Sequence, residues 1–212
     1  MNGHPHRLVV VTGTGTEIGK TFVAAALARD LRAAGLAVAA RKPAQSYGQD
    51  DRGPTDAEVL AEATGERPDA VCRPDRWYAV AMAPPMAAAA LGRPPFSIQE
   101  LVAELAWPEG IDVGLVEGAG GPRSPLAADG DTVDLGAALH PDLVVLVADA
   151  GLGTINAVRL SAAALAPHPL AVYLNRYDDA HDLHRANAEW LRINTGLHIV
   201  TSVDELVSLS CG

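Results

Sequence analysis

Residues Thr12 to Thr21 read TGTGTEIGKT, with Gly19-Lys20-Thr21 at the end of a run of small residues. A phosphate-binding loop needs that ending. Glycines let the backbone approach an anion, the lysine reaches the outer phosphates, and the hydroxyl can ligate Mg2+. The usual loop places four residues between its first glycine and the Gly-Lys-Thr end, whereas Gly13 and Gly19 enclose five. A short apolar run precedes the loop and an Ala- and Leu-rich stretch follows it. A helix opening there would aim several N–H groups and the positive end of its dipole at one spot. A dinucleotide fingerprint fits less well, because Gly13-x-Gly15-x-x-x-Gly19 has the wrong spacing and gives Lys20 no role.

Other residues of the right chemistry stand at the ends of apolar runs. Glu117 follows Val113 to Val116 and precedes Gly118-Ala119-Gly120-Gly121. A carboxylate at the carboxyl end of a parallel strand is well placed for Mg2+ and a terminal phosphate. Asp56 offers a second carboxylate, but the helix dipole alone favours an acid in a first turn by about 0.3–1 kcal/mol, so spacing leaves the two readings level. Lys42-Pro43 follows another apolar run and would face the same sheet edge as the loop, unless Lys42 is a surface lysine. Asn175 also ends a strand-like run, where its amide could meet a nucleobase or make a turn.

The elements that must position these residues are readable in outline. Leu8–Val11, Leu36–Ala40, Val113–Val116, Leu143–Val147, Leu170–Leu174 and, more weakly, His198–Thr201 are continuously apolar. This is the pattern of parallel strands covered on both faces, and the intervals leave room for crossover helices. Lys20–Ala34 predicts a helix closed by Gly35. Thr55-Asp56-Ala57-Glu58 and Ser97-Ile98-Gln99-Glu100 each predict a capping box. A Pro-rich excursion over residues 75–95 should hold one short helix, Met86 to Leu91, and the Gly- and Asp-rich residues 119–134 read as a loop leaving a strand.

The chain has 212 residues with no internal repeat or linker, which suits one α/β domain over residues 1–212. Its formal net charge of -10 argues against nucleic acid or an anionic membrane as partner. Cys72 and Cys211 form neither a disulfide framework nor a zinc site. With no cleavage-like leader and no apolar run long enough to span a bilayer, the expectation is a soluble cytoplasmic protein.

Together the motifs resemble dethiobiotin synthetase, over most of the chain. That family has a loop with five residues between glycine and Gly-Lys-Thr, matched here by GTGTEIGKT. Lys42-Pro43 with Ser46, Thr55-Asp56, VEGAGG at residues 116–121, and Gly151 to Asn156 followed by Asn175 fall in the family's order. The loop combined with VEGAGG is the specific part; Lys-Pro alone would be weak.

The resemblance implies a three-layer P-loop NTPase fold with a mostly parallel sheet and helices on both faces. It implies an ATP-dependent ligase that closes the ureido ring on 7,8-diaminopelargonic acid with CO2 and Mg-ATP, in biotin synthesis. The reaction passes through a carbamate and a carbamic-phosphoric anhydride. Lys20 and Lys42 would be catalytic. The nucleotide would lie against Gly15, Thr16, Glu17, Ile18, Gly19, Lys20, Thr21 and Phe22, with Asp56, Glu117, Gly118, Ala119, Gly120 and Asn175. Mg2+ would be held by Thr21, Asp56 and Glu117. Substrate would meet Ser46, Thr16, Gly151 and Asn156, the last two from the loop reaching the neighbour in a homodimer.

This sequence departs from the family in having Tyr47 where a glycine usually follows Ser46, and in lacking a proline within Thr201–Glu205. A related P-loop ATPase that dimerises as a nucleotide-driven switch is the rival reading. Such switches with the deviant loop usually carry an extra lysine near its start, and Thr12–Thr16 has none.

Overall fold

The computed structural model describes residues 3–48 and 50–211. Its first half runs β1 (Arg7–Gly13), α1 (Lys20–Ala33), β2 (Val38–Arg41), β3 (Gln45–Ser46), α2 (Asp56–Thr64), α3 (Pro68–Val71), β4 (Trp77–Tyr78), α4 (Pro84–Ala90) and α5 (Ile98–Glu104). The second half runs β5 (Val113–Glu117), β6 (Pro125–Ala127), β7 (Gly130–Asp131), α6 (Thr132–Leu139), β8 (Leu143–Asp149), α7 (Thr154–Leu165), β9 (Leu170–Asn175), α8 (Asp182–Thr195), β10 (His198–Val200) and α9 (Val203–Cys211).

The six apolar runs supply the six strands of one parallel sheet, ordered β10-β9-β8-β1-β5-β2. β1 therefore has neighbours on both sides, with Val11 level with Glu117 of β5 and Gly13 level with Val147 of β8. Alternate residues of β1 enter different cores. Val9 and Val11 pack with Val23, Leu27 and Leu31 of α1, Leu60 of α2 and Leu206 of α9. Leu8 and Val10 pack with Leu101 of α5, Leu135 of α6, Val158 of α7 and Leu191 of α8. Each fully buried Leu or Val contributes about 1.5–3 kcal/mol relative to exposure, and these two layers fix the strand ends that carry the chemistry. No helix among the described residues is long and apolar enough to cross a membrane.

Local signals explain most boundaries. α1 stops as Gly35 takes φ +91°, with Gly35 N–H donating to Arg32 O and Leu36 N–H to Leu31 O. That paired closure uses Leu36, so β2 begins at Val38 and not at Leu36 as the apolar run predicts. Both capping boxes form, on Thr55 with Glu58 and on Ser97 with Glu100.

Two expectations need correction. The short helix begins at Pro84, two residues before Met86, because prolines at its first positions need no N–H partner. Residues 119–134 are more than a loop. They hold the antiparallel pair β6 and β7, and α6 opens at Thr132 under a capping box in which the Asp131 carboxylate accepts from the Val133 and Asp134 N–H groups.

Candidate active site

The loop between β1 and α1 has little room for side chains. A Cβ on Gly13 would lie 2.5 Å from Ile18 Cγ2, and one on Gly19 would lie 2.1 Å from Asn175 Nδ2. Gly19 also has φ +94°, which suits glycine alone, and Glu17 adopts φ +58°. Asn175, at the end of β9, donates from Nδ2 to Ile18 O at 2.9 Å. It thus fastens the loop from 157 residues away in sequence, where the sequence left a base contact or a turn. Lys20 is buried and folds back to donate to Gly15 O at 2.9 Å. Burial, and then the nearby Lys42, lower its pKa.

Beside the loop, two other chain segments converge on one cation. Lys42 Nζ lies 2.6 Å from Glu117 Oε1, 2.7 Å from Asp56 Oδ2 and 3.1 Å from Gly118 O. An ammonium has three donors, and here all three have acceptors. Thr21 Oγ1 adds contacts to Asp56 Oδ1 at 2.8 Å and Glu117 Oε1 at 2.9 Å. Asp56 thus joins the cluster as an ion-pair partner of Lys42, whose side chain is buried with 2% exposed. Burial alone would lower the Lys42 pKa, but Glu117 and Asp56 hold it raised. Asp56 is lowered, chiefly by Lys42 working against burial. Burial pushes the Glu117 carboxyl up, against the pull of Lys42 and with the help of Asp56.

The cluster lies on a cleft of about 920 Å³, within the range of small-molecule sites. Thr16, Glu17, Gly19, Lys20, Thr21, Lys42, Ser46, Asp56, Glu117, Ala119 and Gly120 line it. Gly15, Ile18, Phe22, Gly118 and Asn175 belong to the same framework but are not on its wall. Gly118 carries the carbonyl that accepts from Lys42, and Phe22 points outward with 60% exposed. Gly151 and Asn156 do not join this chain's cleft. Gly151 O is held by Asn187 Nδ2 at 2.9 Å, and Asn156 is exposed on α7.

The cleft also has walls that residue types alone did not pick out: Gln45, Arg52, and Ser124 with Pro125. Ser124 closes a turn by accepting from Gly121 N–H, beside Gly120 at φ +63°. Opposite stands the Pro-rich segment, where Ser46 Oγ donates to Met82 O at 2.6 Å. Tyr47, in place of the family's glycine, is on the wall and partly exposed.

Two buried polar atoms on this cleft, Gln45 Nε2 and Glu117 Oε2, are without a partner among the described residues. Glu117 Oε2 is buried and accepts no hydrogen bond. A carboxylate oxygen left free beside Asp56 and the Thr21 hydroxyl fits a hard divalent cation, which takes oxygen ligands and commonly uses one or two carboxylates with phosphate oxygens and water. No group of three or more His, Cys, Asp or Glu suited to a metal occurs among the described residues. Glu117, Asp56 and Thr21 alone would leave most of the ion's ligand positions to other oxygens.

Comparison with known proteins bears on the family and the fold. A family model described as an AAA domain matches residues 7–210. The ATP-dependent dethiobiotin synthetase BioD of Rhodococcus jostii (strain RHA1) is 42% identical over 202 residues, covering 92% of this chain and 85% of the relative. Proteins of the same name from Anaeromyxobacter dehalogenans (strain 2CP-C) and Rhodopirellula baltica are 44% and 38% identical, covering 80% and 92% of this chain and 77% and 83% of theirs. Among solved structures, a DUF1611 family protein from Anabaena variabilis superposes with TM-score 0.52 at 19% identity, over 97% of this chain and 55% of that one. The signal recognition particle receptor FtsY from Elizabethkingia anophelis gives 0.50 at 15%, over 98% and 66%. These two show the α/β three-layer fold alone.

Proposed function

The chain belongs to the dethiobiotin synthetase family, and we propose on that basis that it is an ATP-dependent cyclo-ligase that makes dethiobiotin. Its substrates are then 7,8-diaminopelargonic acid, CO2 and ATP. The observation that carries this reading is that Lys42, Asp56 and Glu117 meet Thr21 of the phosphate loop on one cleft. A loop that only held phosphates would not need that meeting.

In the proposed reaction one amine takes up CO2 to give a carbamate. A carbamate oxygen attacks the γ-phosphorus, the bond to the β-phosphate oxygen breaks, and ADP leaves. The second amine then attacks the carbamate carbon, the ring closes, and phosphate departs with the oxygen that linked it.

Phosphoryl transfer rests on positioning and charge neutralisation. The loop from Gly15 to Phe22 presents backbone N–H groups at the opening of α1, and Lys20 exchanges Gly15 O for the outer phosphates. A Mg2+ ion held by Thr21, Asp56 and Glu117 would neutralise phosphate charge. Carbamate and triphosphate are both anions and repel each other. Lys42 counters this by giving up one of its protein acceptors to the carbamate oxygen. Gly118, Ala119 and Gly120 leave the backbone bare beside the terminal phosphate, and Ser46 and Thr16 contact the diamine. Asn175 supports the loop below the base.

Gly151 and Asn156 lie off this chain's cleft, so in this reading they serve a second copy, and the active form is a homodimer. Sedimentation showing only monomer at micromolar concentration would count against that. The central test is to incubate the protein with 7,8-diaminopelargonic acid, bicarbonate, Mg2+ and ATP and to look for dethiobiotin by mass. Phosphate release without that product would favour the nucleotide-driven switch.

A further inference from the structure

Gln45 follows Lys42 by three residues, is 2% exposed and lines the cleft. Its Oε1 accepts from the N–H of Ala57 at 3.0 Å, in the first turn of α2 and next to Asp56. That contact fixes the amide's orientation, because the Ala57 N–H needs an oxygen before it. The Nε2 group is therefore turned the other way, and it is buried with no partner among the described residues. A buried amide donor left unsatisfied is costly, a burden that a bound acceptor would lift.

We infer that Gln45 is a substrate-binding residue whose Nε2 donates to an oxygen of the carboxylated diamine. The inference rests on the ring-closing reading above. A donor of this kind rejects the ammonium form of an amine and accepts a carbamate oxygen, so it recognises the substrate after CO2 has been added. Phosphate oxygens are the other acceptors within the cleft, but their donors gather at Gly19 to Thr21 where α1 opens. Gln45 sits instead on β3, next to Ser46 and its contact with Met82 on the Pro-rich wall.

Two variants separate this role from a structural one. Gln45→Glu keeps an oxygen for Ala57 N–H and places a negative charge where the donor was. Gln45→Met keeps the length and removes the donor without adding charge, and it also removes the oxygen that accepts from Ala57 N–H, which Gln45→Glu retains. For a hydrogen bond to a charged group, kcat/KM for the diamine should fall roughly 10- to 100-fold in Gln45→Met, and further in Gln45→Glu. ADP affinity, measured by titration calorimetry, should stay within about twofold of the parent in both. Equal loss of ADP affinity would move the contact to the nucleotide and overturn the inference. So would parental kcat/KM in Gln45→Met, a variant that still decides the matter if Gln45→Glu fails to fold. A parent protein that forms no dethiobiotin removes the ring-closing reading, and the Gln45 assignment with it. An active parent whose variants are unaffected removes the assignment alone.

Discussion

Replacing Lys42 with methionine removes one positive charge while keeping an unbranched chain of similar reach. The Glu117 side chain is 1% exposed and its Oε1 sits 2.6 Å from Lys42 Nζ. Without the ammonium, Glu117 keeps the Thr21 hydroxyl as its hydrogen-bond partner. Breaking a buried ion pair from one side costs roughly 3–5 kcal/mol. The Asp56 arm adds little, since 41% of that side chain is exposed and water screens it. At about 2–4 °C per kcal/mol for a chain of this length, the melting temperature in EDTA should drop by roughly 6–20 °C.

The drop should also depend on pH. Burial already raises the Glu117 pKa, and losing Lys42 raises it more. The folded variant then binds a proton that the unfolded chain has released. Its stability is retained at low pH and lost as pH rises through the folded pKa. Scanning calorimetry should find a larger deficit at pH 8 than at pH 5.5. Added Mg2+ should recover part of the melting temperature by replacing the missing charge. It should not recover turnover, which loses about 10²–10³-fold by analogy with other electrostatic contacts in a transition state. A variant melting within about 2 °C of the parent in EDTA would refute the buried-charge reasoning. One with kcat within about tenfold of the parent would remove Lys42 from the chemistry.

Gly19→Ala should weaken ADP binding at least about tenfold by calorimetry, since the left-handed backbone alone costs roughly 1–2 kcal/mol for alanine and its Cβ would meet Asn175. Unchanged affinity would mean that the loop can shift freely. Ser97→Ala deletes a capping box remote from the cleft; it should cost about 1 kcal/mol, or about 2–4 °C in melting temperature, and leave kcat untouched. Cys72 is buried and its thiol is pushed up to about 12, whereas Cys211 is exposed. Iodoacetamide at pH 8 should add one label to the native protein and two in urea, read by intact mass. The same shift predicts that the stability from protonated Cys72 is fully present below about pH 9 and declines from there to about pH 12.

The long apolar runs were legible because a strand covered on both faces leaves no polar residue in its middle. For that reason all six sheet strands were found, together with the phosphate loop at the end of β1. The pairs β3 with β4 and β6 with β7 were not. Strands of two or three residues have no periodicity to read, and tertiary packing alone decides them. The box on Asp131 escaped because it uses Asp at both ends where the Ser/Thr-to-Glu/Gln pattern was sought. At the site, the residue types at strand ends could be listed, but not which of them would touch. Spacing alone left the Asp56 carboxylate level between two readings, and only the packing of α2 brings it to Lys42. Gln45 carried no motif at all; only its buried and unsatisfied Nε2 distinguishes it.

The placement of β1 in the sheet has a consequence for biosynthesis. Of the strands in this sheet it is made first, yet both of its neighbours, β5 and β8, lie about 100 residues or more downstream. At roughly 5–20 residues per second, β1 waits about 5–20 s for its first partner. During that interval only α1 and the segments through α2, with Leu60, can shelter Val9 and Val11. The nascent chain thus carries its phosphate-loop sequence long before Glu117 and Asn175 exist to complete the site, so nucleotide can be held firmly only once most of the protein has been made.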